Sequence, residues 1–270
     1  MLTTRLFSFL ACLALASSES PEAFCGTDHS QPIPCLANVT TVRLGRAVAR
    51  LRLARGFSCT GWLFGSEGHL VTNAHCVPSE EAAAVLVAEF DAACPTCSDP
   101  LNDRKWECPG VFAANSSSLI FVDEALDVAL VKLNVNPGVD MAAFGYLQAR
   151  ATSAVDGEPV FGIGHPATRP KRVSMTRDGG ATTTITNTSA TSRCNQGGQA
   201  VVAFNLDIDG LPTGWPVLGA TDNKVVALYN CGGGGNVCGA NTGTKMNEIV
   251  DSLVAHHVLP KDAVASKPSC

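Results

Sequence analysis

The sequence predicts an all-β fold, with many short strands and one helix near the C-terminus. Three observations support this class: short apolar or alternating runs recur along the chain, turn residues separate them, and a single segment has apolar residues at helical spacing. Strands of this length and spacing are typical of β-barrels or of a β-sandwich. A chain of 270 residues fits either one large domain or two small ones.

The individual strands follow from periodicity and turn signals. Residues 47–53 alternate small apolar side chains with arginine, which indicates a strand with one solvent-facing side. Residues 60–64 and 69–72 flank Gly65-Ser-Glu-Gly68, which predicts a hairpin. The other predicted strands are 83–90, 119–122, 127–133, 160–163, 172–175, 201–206, 216–218 and 225–229. The Thr- and Ser-rich segment 182–192 is either an exposed loop or a further strand.

The C-terminal region and the middle of the chain complete this organisation. Apolar residues at helical spacing predict an amphipathic helix over 247–257, which Pro260 ends. Pro137-Gly138 separates two halves of the chain. The predicted segments are a signal peptide, an N-terminal half, a C-terminal half with the helix, and a tail, at residues 1–18, 22–136, 137–258 and 259–270.

The N-terminus has the pattern of a secretory signal peptide. Arg5 precedes an apolar run at 6–16, and a polar stretch follows. The alternative is an uncleaved membrane anchor, for which the run is too short. We therefore expect a secreted, extracellular protein that is not bound to a membrane after signal cleavage.

The cysteines agree with an oxidising compartment. Eleven of the 12 lie beyond the signal peptide, and we expect most of them to form disulfides. The odd count leaves one thiol over, for which Cys270 is our candidate. Cys94, Cys97 and Cys108 also resemble part of a zinc site, but no fourth ligand is evident nearby. Disulfides are therefore favoured, and no metal is predicted.

Composition restricts the partners of the protein. A net charge of -5 and an aromatic content of 6% provide no basic or stacking surface for nucleic acid. Asn38, Asn115 and Asn187 each begin a sequon for N-glycosylation, which predicts that they are exposed. No cofactor is implied, and we expect a monomer.

Two segments carry residues suited to acid–base chemistry. His75 precedes Cys76, and a disulfide from Cys59 to Cys76 would hold the imidazole as a fixed general base and stabilise the fold by about 3 kcal/mol. Asp127 heads an apolar strand, where a buried carboxylate needs a partner such as an imidazole N–H. Each residue alone also fits a purely structural role.

A third segment, 207–218, completes a resemblance to the trypsin-like serine proteases, in which the order is His, Asp, nucleophile. Thr72-Asn-Ala-His75-Cys76 and Asp127-Val-Ala-Leu resemble the family's His and Asp blocks. Cys25 followed by Cys35, and Gly164-His-Pro before Lys171-Arg-Val, further resemble the secreted lysyl- and glutamyl-endopeptidase-like members. The resemblance covers about residues 25–255. It implies two six-stranded antiparallel β-barrels of the chymotrypsin type with a C-terminal helix.

The nucleophile block departs from the family pattern. Gly214 and Pro216 set the register, so Thr213 stands where the family has its nucleophilic serine. Thr keeps the hydroxyl but adds a methyl group that restricts χ1. Leu211 stands where a glycine normally contributes the second oxyanion-hole N–H beside that of Thr213. Pro212 also biases the backbone before it, and Trp215 replaces a small residue and is expected to fill space near the site. These changes in one loop together predict impaired catalysis.

Three functions remain open from the sequence, and whether the protein is an enzyme is uncertain. The leading hypothesis is an impaired or inactive homologue that binds proteins or peptides on a peptidase scaffold. The second is an active secreted endopeptidase with a His75, Asp127 and Thr213 triad. The third is an unrelated all-β secreted module in which the motifs occur by chance.

Overall fold

The computed structural model describes residues 27–192, 194, 201–208, 213–232 and 241–265. Within this part of the chain, the helices are α1 (Val39–Arg46), α2 (Glu80–Ala84) and α3 (Met246–Ala255). The strands are β1 (Gln31–Pro32), β2 (Val48–Arg52), β3 (Ser58–Leu63), β4 (His69–Thr72), β5 (Val87–Phe90), β6 (Val111–Asp123), β7 (Val128–Val135), β8 (Val160–Gly164), β9 (Arg172–Ser174), β10 (Thr176–Arg177), β11 (Ala181–Thr182), β12 (Ile185–Ala190), β13 (Val201–Phe204), β14 (Pro216–Gly219), β15 (Val225–Cys231) and β16 (Asn241–Lys245). The predicted signal peptide lies outside the described residues.

Six antiparallel strands of the N-terminal half close into a barrel in the order β2-β3-β4-β7-β6-β5. The predicted hairpin is present, with Trp62 of β3 paired to Val71 of β4. Trp62, Leu51 and Leu70 are fully buried in the barrel core. Burial of such side chains stabilises the fold, which explains why the apolar runs of the sequence form these strands.

A second antiparallel sheet of eight strands has the order β1-β9-β8-β14-β15-β16-β13-β12. The beginnings of β8 and β12 are also hydrogen-bonded to each other. The Val160 N–H donates to the Thr183 carbonyl, and the Ile185 N–H donates to the Glu158 carbonyl. These bonds close six of the strands, β8-β14-β15-β16-β13-β12, into a second ring. Together with the first barrel and α3, they confirm the predicted fold class.

The C-terminal helix follows β16 of the second barrel directly, and its apolar stripe joins the hydrophobic core of the first barrel. Met246, Ile249 and Leu253 are buried, and the helix contacts β15 and β16. The helical spacing of apolar residues predicted this element correctly. The predicted range began one residue after the observed start and ended two residues beyond the observed end. None of the helices among the described residues is long and apolar enough to cross a membrane.

Some local predictions were wrong or incomplete. Strand β2 has no solvent-facing side along 48–51, because the arginine of that stretch, Arg50, is buried as well. Residues 83 and 84 end helix α2 instead of beginning a strand, because Ser79 caps the helix through Oγ and alanines favour helix. Helix α1 was not predicted; Asn38 caps it by accepting from the Thr40 and Thr41 N–H groups. Segment 182–192 is largely strand, in β11 and β12.

Buried charges link the two barrels. Arg50 and Glu89 are both fully buried and form a bidentate pair with two nitrogen–oxygen distances of 3.0 Å. Arg50 also donates to the Thr168 carbonyl, which lies between β8 and β9. Lys171 is buried as well, and its Nζ donates to the Gly45 carbonyl at 2.6 Å. These contacts fix the barrels' relative position, and the candidate site lies where the barrels face each other.

Four disulfides join described cysteines, in the pairs Cys35–Cys97, Cys59–Cys76, Cys94–Cys108 and Cys194–Cys231. The sulfurs considered for zinc are therefore bonded to other sulfurs and are not available as thiolate ligands. Cys25 and Cys270, the candidate for the free thiol, lie outside the described residues.

Candidate active site

His75 lies on a tight turn directly after strand β4. The Asn73 carbonyl accepts from the N–H groups of both Cys76 and Val77, which forms the turn. The Cys59–Cys76 disulfide then attaches the turn to β3. The imidazole leaves the barrel wall with 48% of its side chain exposed, so it faces both the protein and the solvent.

Asp127 lies directly before strand β7 and faces His75. Its Oδ1 accepts from the His75 backbone N–H at 3.0 Å, and its Oδ2 is 2.9 Å from His75 Nδ1. Because an ionised carboxylate only accepts, Nδ1 carries the proton and Nε2 presents its lone pair to the cleft. The backbone of Asp127 is left-handed, with φ of 48°, a conformation that Asp tolerates better than most residues.

Thr213 completes the group. Its Oγ1 is 2.6 Å from His75 Nε2, which places hydroxyl, imidazole and carboxylate in one hydrogen-bonded row. Sequence reasoning predicted all three residues, and the structure brings them together. This geometry allows a hydroxyl to transfer its proton to an imidazole that a carboxylate orients.

Both barrels hold the Thr213 backbone. The Thr60 N–H of β3 donates to the Thr213 carbonyl at 2.9 Å, and the Gly214 N–H donates to the Tyr229 carbonyl of β15 at 3.0 Å. Gly214 has φ of 92°, and a Cβ there would lie 2.0 Å from the Thr60 carbonyl oxygen. Only glycine fits at this position, which explains the glycine that set the register in the sequence.

Trp215 fills the core of the second barrel and does not fill the cleft. It is fully buried, and its ring lies against Gly164, where a Cβ would be 2.2 Å from the ring. The Trp215 ring therefore fits because Gly164, on β8, has no side chain that would occupy the same space. Of the unusual residues in this loop, Leu211 and Pro212 lie outside the described residues, so the altered oxyanion hole stays a prediction.

A cleft of about 780 Å³ opens over the three residues. Its walls are the segment 53–59, the turn that carries His75, and residues 230–232, together with the exposed Cys194. Phe57 is 69% exposed at the rim. The cleft is large enough for several residues of an extended peptide, and its walls offer both apolar surface and backbone groups.

Two buried polar residues were not singled out from the sequence, one beside the site and one six residues before Thr213. Asn73 is fully buried and its Nδ2 donates to the Asp127 carbonyl, yet a single Asn in a strand end has no distinctive sequence signal. Asp207, six residues before Thr213, is 5% exposed, and burial raises its pKa to about 6. Burial disfavours the ionised form because the charge loses its hydration.

The three candidate glycosylation sites are all exposed. Asn38 caps α1, Asn115 lies on β6, and Asn187 lies on β12. Exposure is necessary for modification, and in Asn38 the oxygen that caps the helix leaves the amide nitrogen available.

Comparison with known proteins agrees with this fold and geometry. The model of the trypsin-like peptidase domain matches residues 59–228, more than half of the chain, including His75, Asp127 and Thr213. Secreted RxLR effector protein 73 of Plasmopara viticola is 38% identical over 248 residues. That match covers 90% of this chain and 58% of the relative, so the chain spans little more than half of that protein's length.

Solved structures of proteases share the fold. The HtrA-type protease AlgW with a tripeptide has a TM-score of 0.54 at 16% identity, covering 80% of this chain and 62% of its own. Deg5 has a TM-score of 0.54 at 12% identity, covering 81% and 92%. An inactive mutant form of Rv3671c from M. tuberculosis H37Rv has a TM-score of 0.55 at 15% identity, covering 83% and 93%. With its family match, its two barrels and its site geometry, the chain belongs to the trypsin-like peptidase domain family.

Proposed function

We propose that the protein is a secreted trypsin-like peptidase homologue that binds peptide segments of other proteins in the cleft and hydrolyses them slowly or not at all. The observation that carries this proposal is Thr213. Its hydroxyl has the right partner in His75, and the residue lines the cleft although only 6% of its surface is exposed. The Cγ methyl of threonine restricts the attack path compared with serine.

The oxyanion segment supports impaired hydrolysis independently. The family pattern has a glycine where this chain has Leu211, which keeps its N–H but does not easily take the backbone conformation that directs it into the oxyanion hole, and Pro212 restricts it further. Loss of one oxyanion donor typically costs about 2.7–4 kcal/mol in the reaction barrier, or 10²–10³ in rate. Combined with Thr213, such a loss leaves peptide binding as the activity that the cleft serves best.

A second function has a specific observation in its favour. His75 Nε2 lies 2.6 Å from Thr213 Oγ1, and Asp127 accepts from the other side of the same ring. A scaffold that no longer used this chemistry would have no need to keep this geometry. The alternative is therefore an active endopeptidase in which Thr213 is the nucleophile, His75 the general base and Asp127 its orienting partner.

The setting of this function follows from the N-terminus, the disulfides and the relative. Residues 1–18 have the signal-peptide pattern, the four disulfides suit an oxidising compartment, and the named relative is described as a secreted effector. We therefore propose an extracellular monomer with N-glycans at Asn38, Asn115 and Asn187. Loss of mass on treatment with an N-glycosidase would test the glycans.

Fluorescein-labelled casein, an unfolded protein, separates the two functions. The proposal predicts a rise in fluorescence anisotropy on binding without release of peptides, and no labelling by a biotinylated fluorophosphonate. Release of peptides that Thr213→Ala abolishes, while Thr182→Ala on exposed β11 does not, would establish the active alternative. Absence of both binding and cleavage in folded protein would overturn both functions.

A further inference from the structure

The two backbone carbonyls that flank the left-handed residue Asp127 are each held by a buried side chain. Asn73 Nδ2 donates to the Asp127 carbonyl at 3.0 Å. Thr244 Oγ1 donates to the Leu126 carbonyl at 2.7 Å. Because these carbonyls belong to the peptide planes before and after the Asp127 Cα, the two bonds together fix both planes, and with them the direction of the carboxylate.

The two side chains come from different barrels. Asn73 follows β4 in the first barrel, and Thr244 lies on β16 in the second; both are fully buried. Thr244 in turn accepts from Asn230 Nδ2 at 3.0 Å. Asn230 lines the cleft, so a continuous row of hydrogen bonds runs from the cleft wall through Thr244 to the turn that carries Asp127.

The Asn73 amide is suited to donation at this place. Among the described residues, its Oδ1 accepts no hydrogen bond although it is buried. An unpaired buried acceptor is unfavourable. Any stabilisation of the turn by the Asn73 side chain therefore comes from the hydrogen bond that its Nδ2 donates. The Asn73 carbonyl also accepts from Cys76 and Val77. One residue therefore shapes the turn of His75 and holds the turn of Asp127.

We propose that Asn73 and Thr244 are positioning residues, which hold Asp127 in its left-handed conformation so that its carboxylate meets both N–H groups of His75. Left-handed backbone at a residue other than glycine persists only where surrounding contacts impose it. Without the two donors, the turn relaxes and the carboxylate leaves the imidazole. The inference concerns the site of the proposed function, but it requires neither peptide binding nor hydrolysis.

The test measures the proton on His75 Nδ1 directly. In protein labelled with ¹⁵N-histidine, this proton is assigned with His75→Gln, and its exchange with solvent is measured by saturation transfer. In Asn73→Ala and in Thr244→Val, exchange should be about fivefold to tenfold faster than in the wild type, as expected for loss of one buried hydrogen bond.

Two matched controls separate positioning from general loosening. Asn102 is also buried, its Nδ2 donates to the Thr96 and Cys97 carbonyls, and its Oδ1 is likewise unpaired among the described residues. Thr183 is buried and donates to the Val160 carbonyl. Asn102→Ala and Thr183→Val should lower the melting temperature and leave the His75 proton unchanged.

The outcomes are distinct. Faster exchange in Asn73→Ala and Thr244→Val and not in the controls supports the inference. Equal exchange in the wild type and in a folded Asn73→Ala or Thr244→Val variant, or the same acceleration in the controls, overturns it. If Asn73→Ala does not fold, Thr244→Val tests the same claim from the other barrel. Casein binding is measured separately, so failure of the proposed function leaves this result interpretable.

Discussion

Replacement of Lys171 by methionine should change how the stability of the protein depends on pH. Lys171 is 1% exposed, and its ammonium group donates to the Gly45 carbonyl of α1. Burial, reinforced by Arg46 and Arg50 and opposed by Asp91 and Glu89, lowers the pKa of Lys171 from 10.5 to about 8. Folding therefore takes the charged form out of water at an energetic cost.

The sign and size of the effect follow from the two pKa values. Between pH 8 and 10.5, the unfolded chain binds more protons at this residue than the folded chain, so the free energy of unfolding rises with pH. The shift from 10.5 to about 8 corresponds to about 3.4 kcal/mol. Of this, about 2.5 kcal/mol is recovered between pH 7 and pH 10.

Urea denaturation of the wild type and of Lys171→Met at pH 7, 8, 9 and 10 measures this quantity as a difference, which cancels other titrating groups. Relative to the variant, the wild type should gain about 2.5 kcal/mol from pH 7 to pH 10. Lys105→Met, at an exposed lysine, should run parallel to the wild type. Parallel curves for the wild type and Lys171→Met would refute the reasoning, because they would mean that folding does not change the ionisation of Lys171.

Three further predictions concern the site and its support. Thr213→Ser alone should leave casein hydrolysis within about tenfold of the wild type, because Leu211 still occupies the oxyanion segment; rapid turnover by this variant would contradict the altered oxyanion hole. Replacing both Cys59 and Cys76 with alanine should lower the free energy of unfolding by about 3 kcal/mol, since the disulfide closes a loop with a separation of 17 residues; an unchanged urea midpoint would argue against this contribution. Burial raises the pKa of Asp207 from 3.8 to about 6, so the wild type should lose about 2.4 kcal/mol relative to Asp207→Asn as the pH rises from 4 to 7. Urea denaturation at pH 4 and pH 7 measures this difference. An equal change in the free energy of unfolding of both proteins would exclude a buried carboxylate at this position.

Much of the fold and the site was predictable because the signals are local. Alternation along 47–53 identified a strand correctly, but its expected solvent-facing side is buried, because Arg50 pairs with Glu89 inside the protein. The apolar spacing after Met246 reports one buried side of a helix. The short motifs around His75, Asp127 and Thr213 also identified three side chains that the structure brings together. The errors arose where local signals compete, as at residues 83 and 84, where alanines after a capping serine favour helix over strand.

The sequence by itself determined the chemistry that is available: an imidazole, a carboxylate and a hydroxyl, in a fixed order, on a chain rich in strands and cysteines. The tertiary structure alone decided which groups support that chemistry. Asn73 and Thr244 are far apart along the chain, yet their side chains hold the two carbonyls beside Asp127. Such contacts depend on how two barrels close and face each other, and no periodicity within either barrel encodes that distance.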